Sequence, residues 1–132
     1  MLPMIRQTAL WIWASPWSCF GLGVGLLGLL SGGGVQRVGR TLEFHGGFVV
    51  WFLSYAPLIK HANAVTFGHT ILGRTPEILA EVRSHEMIHV KQYELWGPLF
   101  VPAYLGWWFV LWLQGKHPYF DNPFEVEAFR DA

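Results

Sequence analysis

Two long stretches without charged residues limit how this 132-residue chain can fold. The first runs from Gln7 to Gln36, with an apolar centre at Ala9–Leu30, and the second is Leu95–Gly115. About 20 apolar residues suffice to cross a bilayer, and both stretches reach roughly that length. Only 14% of the residues are charged, against roughly 25% in an average soluble domain. The sequence therefore predicts a chain that meets lipid as well as water.

The N-terminal stretch has the composition of a membrane segment. Tryptophans near its start suit the headgroup level of a bilayer, and proline and glycine are commoner in membrane helices than in soluble ones; these residues are Trp11, Trp13, Trp17, Pro16, Gly21, Gly23, Gly25 and Gly28. We predict that residues 1–40 form a membrane-associated segment. A cleaved signal peptide and a buried core hairpin are the alternatives, but no small-residue cleavage site follows Leu30. Arg37 and Arg40 place residues 41–132 on the cytoplasmic side by the positive-inside rule.

From Thr41 onward the sequence predicts alternating strands and helices. Residues rich in β-branched and aromatic side chains predict strands at Thr41–His45 and Phe48–Ser54, across a turn at Gly46-Gly47, and at Ala64–Leu72. Thr75-Pro76-Glu77 is typical of a helix start, and Gly97-Pro98 stops that helix near Trp96. Another helix starts at Asn122-Pro123.

The sequence His85-Glu86-Met87-Ile88-His89 lies within the first predicted helix. Histidines four positions apart share one helical face, so both imidazoles can bind a single metal ion. The glutamate after the first histidine lies beside that metal, where it can act as general base toward water. We therefore predict a Zn²⁺ site with His85 and His89 as ligands and Glu86 as catalytic base. An amphipathic helix with polar surface histidines is the competing interpretation.

A catalytic zinc site needs a third protein ligand and one open position. Near the C-terminus the sequence offers Glu125 and Glu127, with Asp121 as a further acid. Glu125 also follows Asn122 by three positions, which is the spacing of a capping box. From the residues alone, Glu125 is therefore either a metal ligand or part of a helix cap.

The pattern His85-Glu86-x-x-His89-x-x-Gln92, preceded by Ala64-x-Thr66-x-Gly68-x-x-Ile71, resembles small gluzincin-type metallopeptidase domains. These include the minigluzincins and the metallopeptidase-like domains associated with bacterial contractile injection systems. The resemblance covers the chain from about Thr41 to its end. It implies a third ligand in an E-x-x-A pattern, which Glu125-Val126-Glu127-Ala128 fits with Glu125 as the ligand and Glu127 outside the pattern.

The resemblance also implies roles around the metal. The strand Ala64–Leu72 corresponds to the edge strand that pairs with an extended substrate, although a simple core strand is the alternative. Tyr104 or Tyr119 could supply the phenol that stabilises an oxyanion, and Gln92 could hold a metal-ligating histidine or be an exposed polar residue. His45, His61, His69 and His117 have no partner at metal-ligand spacing and are predicted to be structural.

The second apolar stretch conflicts with the ligand set if it crosses a membrane once. A crossing would put roughly 30 Å of hydrocarbon between His89 and Glu125, whereas both must lie about 2 Å from one ion. Pro98, Pro102 and Gly106 suit a bent path. We therefore predict that residues 97–114 form a re-entrant or interfacial helix.

Together these features predict an α+β, zincin-like minimal domain with a small sheet, an HExxH helix and a C-terminal ligand helix. The predicted function is a membrane-associated zinc metallopeptidase that acts on a peptide or protein substrate and contacts membrane lipid. A non-catalytic membrane protein or assembly subunit with a structural or vestigial zinc site is the alternative. Nine basic residues balance nine acidic ones, so no nucleic-acid partner is predicted. The oligomeric state does not follow from the sequence.

Overall fold

The computed structural model describes residues 2–56 and 62–132. In chain order its elements are α1 (Leu2–Trp13), α2 (Ser15–Leu30), β1 (Gly34–Val38), β2 (Thr41–His45), α3 (Phe48–Tyr55), β3 (Ala64–Phe67), β4 (Thr70–Gly73), α4 (Pro76–Trp96), α5 (Phe100–Leu113) and α6 (Pro123–Asp131). A 3₁₀ turn, Gly97–Leu99, joins α4 to α5. The fold is therefore α+β, as predicted.

The four strands form one small mixed sheet in the order β1-β2-β4-β3. The central pair β2 and β4 is parallel, and the two outer pairs are antiparallel. The register aligns Glu43 with Ile71 and Ile71 with Thr66, which forms one row of side chains across the sheet. Because neighbouring residues of a strand point to opposite faces, Phe44 and Leu72 face the other way.

Helices cover both faces of the sheet. On one face, α2 and α3 pack over a cluster of buried apolar side chains: Val24, Phe44, Val49, Leu53 and Leu72. On the other face, α4 packs through Ile71, Leu79 and Val90. A third cluster holds the α1–α2 junction, α4, α5 and α6 together through Ala14, Tyr93, Phe100 and Phe124. The row of residues containing Glu43 and Thr66 therefore lies beneath α4.

The glycines of α2 let that helix lie close to the sheet. A β-carbon at Gly25 would come within 2.5 Å of the Phe44 ring, and one at Gly28 within 2.8 Å of Val49. Gly23 lies on the opposite, exposed side, with nothing within 4 Å of an added β-carbon. One face of α2 is thus part of the protein core, while its other face exposes leucines, namely Leu26, Leu27, Leu29 and Leu30.

This packing predicts opposite effects for two matched substitutions in α2. Gly25→Ala should lower the free energy of unfolding by about 2 kcal/mol, because the new methyl group overlaps the buried Phe44 ring. Gly23→Ala should raise it by about 0.5–1 kcal/mol, because alanine is the better helix former and meets no neighbour. Chemical unfolding of both variants in the same detergent measures the difference. Equal effects would show that α2 does not pack on the sheet.

Two strand predictions were wrong. Phe48–Ser54 lies in the helix α3, because a helix buries Val49 and Leu53 against the sheet and turns Trp51, which a strand would place on the same face, toward solvent. Here tertiary packing overrides the strand propensity of the aromatic and β-branched residues. Ala64–Leu72 is not one strand but a hairpin, because Gly68 adopts a left-handed backbone (φ 62°) and reverses the chain between β3 and β4.

The predicted helix starts after residue 73 are confirmed. Thr75 caps α4 through a 3.1 Å hydrogen bond that its Oγ1 accepts from the backbone N–H of Ile78, and α4 ends at Trp96. Asn122 caps α6, its Oδ1 accepting from the N–H of Phe124 at 3.1 Å. These local signals act within one helical turn, which is why the sequence alone reveals them.

The N-terminal apolar stretch is divided in the structure. The helices Met4–Trp13 and Ser15–Leu30 meet at an angle of 82°, with Pro16 in the first turn of α2, and residues 34–36 belong to β1. Within the described residues, the helical run Pro76–Leu113 is long and apolar enough to cross a membrane, a criterion that core helices of soluble proteins also meet.

Candidate metal centre

Helix α4 positions the HExxH residues against the sheet and the C-terminal helix. His89 and Glu86 are buried, and the ring centres of His85 and His89 lie 5.0 Å apart, one helical turn from each other. The N-cap at Thr75 and the packing of Leu79 and Val90 on Ile71 fix the rotation of this helix. That rotation points both imidazoles toward α6.

Helix α6 brings Glu125 to both histidines. Its Oε1 lies 3.0 Å from Nε2 of His85 and 3.0 Å from Nε2 of His89. The three candidate ligand atoms all lie within 4.8 Å of one another. Two ligands of one tetrahedral zinc ion are separated by about 3.3 Å, so these contacts are close to the spacing that a metal ion needs. These three residues could hold a metal ion.

Gln92 sets the protonation of the His89 ring. Its Nε2 donates to the Phe124 carbonyl at 2.9 Å and to Glu127 Oε1 at 2.7 Å, and both of these partners can only accept. Its Oε1 therefore faces Nδ1 of His89, at 2.8 Å, and accepts a hydrogen bond from the Nδ1–H group. With the proton held on Nδ1, Nε2 is the nitrogen that a metal ion would take as its ligand once it displaces the Nε2 proton.

Tyr104 on α5 holds the second oxygen of Glu125. The phenol donates to Oε2 at 2.7 Å, which leaves Oε1 as the oxygen near the histidines. Asn122, the N-cap of α6, links that helix to α5 because its side-chain amide donates to the Tyr104 carbonyl at 3.3 Å. Tyr104 thus contacts a candidate ligand directly, whereas Tyr119 lines an open cleft beside these residues.

Glu86 lies beside the three candidate ligands without joining them. Its Oε1 accepts a 3.1 Å hydrogen bond from Thr66 Oγ1, and its Oε2 is 3.8 Å from Nε2 of His85. Thr66 is itself fixed, because the Tyr93 hydroxyl donates to its carbonyl at 3.0 Å. The edge strand therefore orients the carboxylate that the sequence predicts as catalytic base.

Burial and neighbouring charges shift the pKa values of these groups. Burial raises the pKa of Glu86, and the charges of His89 and His85 oppose this only in part. Burial would lower the pKa of His89, but the hydrogen bond to Glu125 and the charge of Glu86 raise it to about 9. Burial would raise the pKa of Glu125, but the hydrogen bonds from His85 and His89 lower it to about 2. The cluster therefore keeps Glu125 ionised between two basic rings.

The other acids and histidines named from the sequence lie elsewhere. Asp121 accepts from the backbone N–H of His117 at 2.8 Å, and Glu127 contacts Gln92 rather than the histidine pair. His69 is buried, and its Nε2 lies 2.8 Å from Glu94. His61 lies outside the described residues.

An open cleft of about 910 Å³ lies against the candidate metal centre. Its walls include His85, Glu86, His89 and Glu125 together with every residue of β3. The strand β3 pairs with β4 and lies at the edge of the sheet. An extended molecule in this cleft would therefore reach both the strand edge and the histidine pair.

Sequence reasoning named Tyr104 as a candidate oxyanion donor and Thr66 as part of a motif, but it did not find the contacts that Thr66, Tyr93 and Tyr104 make at this site. Their contacts join residues at least 20 positions apart, and no local motif signals them. Comparison of the chain with protein-family models, with curated proteins and with solved structures found no match. The assignment of a function therefore rests on the residues and the geometry of this site.

Proposed function

We propose that this protein is a membrane-associated zinc metallopeptidase with a minimal zincin-like fold. The observation that carries the proposal is the convergence of His85, His89 and Glu125, with Glu86 beside them at the wall of an open cleft. Two histidines and one glutamate form a donor set that catalytic zinc uses, and it leaves a fourth position open. The proton that Gln92 fixes on Nδ1 of His89 supports metal binding through Nε2.

The remaining residues fit the chemistry of peptide hydrolysis. Zinc bound at such a site polarises a carbonyl group and lowers the pKa of water. Glu86, oriented by Thr66, takes a proton from the attacking water and passes it to the leaving amine. Its raised pKa brings this carboxyl closer to the neutral range in which a general base works best. Burial and the charge of Glu125 raise the pKa of Tyr119, so its phenol stays protonated and can donate to an oxyanion.

The elements around the site support the zincin-like description. An antiparallel edge strand, β3, lies beside the HExxH helix α4, and a following helix, α6, supplies the third donor. An open strand edge can pair with the backbone of an extended peptide. The cleft of about 910 Å³ gives so small a domain room for a substrate, which favours an enzyme over a non-catalytic subunit with a structural or vestigial zinc site.

Exposed apolar side chains support membrane association. On α5 these are Leu105, Trp107, Phe109, Val110, Trp112 and Leu113. The helix continues for about 13 Å beyond Tyr104, and the chain then returns so that Asn122 contacts the Tyr104 carbonyl. This shape suits a helix that dips into one leaflet and returns to the same side. With Arg37 and Arg40 on the cytoplasmic side, the metal centre would face the cytoplasm.

The decisive experiment separates the metal ligands from the base. Purified wild-type protein should hold about one zinc per chain, and His89→Ala should lose most of it. Glu86→Gln should keep the zinc but lose hydrolysis of a quenched fluorescent peptide library by at least about a hundredfold, because the amide cannot accept the proton from water.

Glu77→Gln is the matched control, because Glu77 is also a glutamate of α4 but is exposed and does not line the cleft. It should keep both zinc and activity. If Glu86→Gln lost zinc as fully as His89→Ala, or hydrolysed peptides as fast as wild type, the proposed division of roles would be wrong.

A further inference from the structure

The walls of the cleft beside the metal centre are mainly apolar. Helices α2 and α3 contribute Phe20 and Phe52, and α5 contributes Phe100, Val101 and Leu105. Burying one apolar side chain of a ligand against such walls strengthens binding by about tenfold or more. The cleft therefore selects for apolar side chains over most of its length.

Three acids line the cleft, and among the described residues no lysine or arginine does. The acids are Glu81, Glu86 and Glu125, and His85 and His89 lie beside them. Glu86 and Glu125 offset the charge of a zinc ion held beside the histidines, and no lysine or arginine among the described wall residues can pair with the terminal carboxylate of a peptide that ends elsewhere in this cleft, which is unfavourable in a partly desolvated site. Acidic side chains of a substrate are unfavourable there for the same reason. Glu81 is exposed to solvent, so it is not a buried anchor for the amino terminus of a peptide.

The mouth of the cleft is apolar as well. Phe20 is 44% exposed, Leu105 38% and Phe129 53%, and all three line the cleft. Phe20 lies on α2 and Leu105 on α5, and both helices expose further apolar side chains on their outer surfaces. Apolar surface thus runs from the outside of these helices into the cleft, which is the surface an apolar segment would follow.

From these observations, and resting on the proposed function, we infer that the substrate is an uncharged, apolar stretch from the interior of a polypeptide chain. Such a stretch lies extended along β3, with its side chains against the walls from α2, α3 and α5. The enzyme is then an endopeptidase that acts on segments of the kind found in membrane proteins or unfolded chains, and it does not trim chain ends.

Binding to the zinc-loaded Glu86→Gln protein tests this inference without turnover. The probes are three ten-residue peptides: one apolar with both ends blocked, the same peptide with a central glutamate, and the apolar peptide with a free carboxyl end. We expect the blocked apolar peptide to bind at least about tenfold more tightly than either of the others. Equal affinities, or tighter binding of a charged probe, would overturn the inference.

A charge placed in the cleft separates specific binding from general adhesion to apolar surface. Leu105→Lys in the Glu86→Gln background should weaken binding of the apolar peptide and strengthen binding of the glutamate peptide. Phe109→Lys is the control, because this residue is exposed on the same helix and does not line the cleft. If both lysine variants changed affinity alike, the peptides would bind the outer surface of α5 and the inference would fail.

The positions at which wild-type protein cuts a denatured protein mixture distinguish a wrong substrate class from a wrong proposed function. Internal cuts between apolar residues are the expected result, whereas release of single terminal residues or cuts at acidic sites would refute the substrate class while leaving the peptidase intact. Absence of any cleavage would refute the proposed function, and the peptide affinities would still decide what the cleft binds.

Discussion

Replacing Glu125 with glutamine is expected to weaken zinc binding by more than about a hundredfold. This exceeds the loss of affinity that is usual when only a hydrogen-bond partner of a metal ligand is removed. Glu125 Oε1 lies 3.0 Å from Nε2 of both His85 and His89. The substitution keeps the size of the side chain but removes the charge that a divalent ion needs. Competition with a fluorescent zinc chelator at fixed pH measures the affinity.

Glu127→Gln is the matched control for this change. Glu127 lies two residues further along α6, and its side chain accepts from Gln92, which also donates to the Phe124 carbonyl. A glutamine there can still accept that hydrogen bond, so zinc affinity should change by less than about tenfold. Equal losses of zinc affinity in the two variants would show that the negative charge of α6 attracts zinc wherever it lies on the helix, and that Glu125 is not a ligand.

Arg83→Met is expected to lower the free energy of unfolding by about 3 kcal/mol, because it leaves a carboxylate buried without its ionic partner. Glu43 is fully buried in β2, and Arg83 donates to its two oxygens at 2.8 and 2.9 Å. Only the 2.9 Å hydrogen bond from Gln36 would remain among the side-chain contacts of Glu43 in the described part of the chain. For a chain of this size the melting temperature should fall by about 10 °C.

Arg130→Met provides the comparison at the surface. The Arg130 side chain is largely exposed and pairs with Asp131 and, at 3.9 Å, with Glu127. Exposed ion pairs contribute about 0–1 kcal/mol, so this variant should melt close to wild type. If the two arginine variants melted at the same temperature, the pair between Arg83 and Glu43 would not hold α4 on the sheet.

The same row of the sheet links this ion pair to the candidate site. Glu43, Ile71 and Thr66 are aligned across β2, β4 and β3, and α4 lies over them. Arg83 contacts the first of these residues, and Glu86, three positions later on the helix, contacts the last. The strand register therefore determines where along the sheet the carboxylate of Glu86 lies.

The sequence by itself determined the features that depend on neighbouring residues. The spacing of His85 and His89 puts them on one helical face, and Thr75 and Asn122 start their helices through bonds within one turn. The α+β class followed from the order of such local signals. It also followed that any single site holding His89 and Glu125 requires the chain between them to return, as α5 and the loop after it do.

Only the tertiary structure decided the features that depend on contacts between distant residues. Phe48–Ser54 has the composition of a strand but is helical, because a helix buries Val49 and Leu53 and leaves Trp51 exposed, whereas a strand would put all three on one face. The sequence position of Glu125 could not show whether it caps its helix or contacts the histidines, because a glutamate three residues after Asn122 is compatible with both roles. Packing of α6 on α4 turns the side chain toward His85 and His89, and Tyr104 holds it there. A local pattern fixes which groups a segment offers, but the free energy of burying them together determines which of those groups meet.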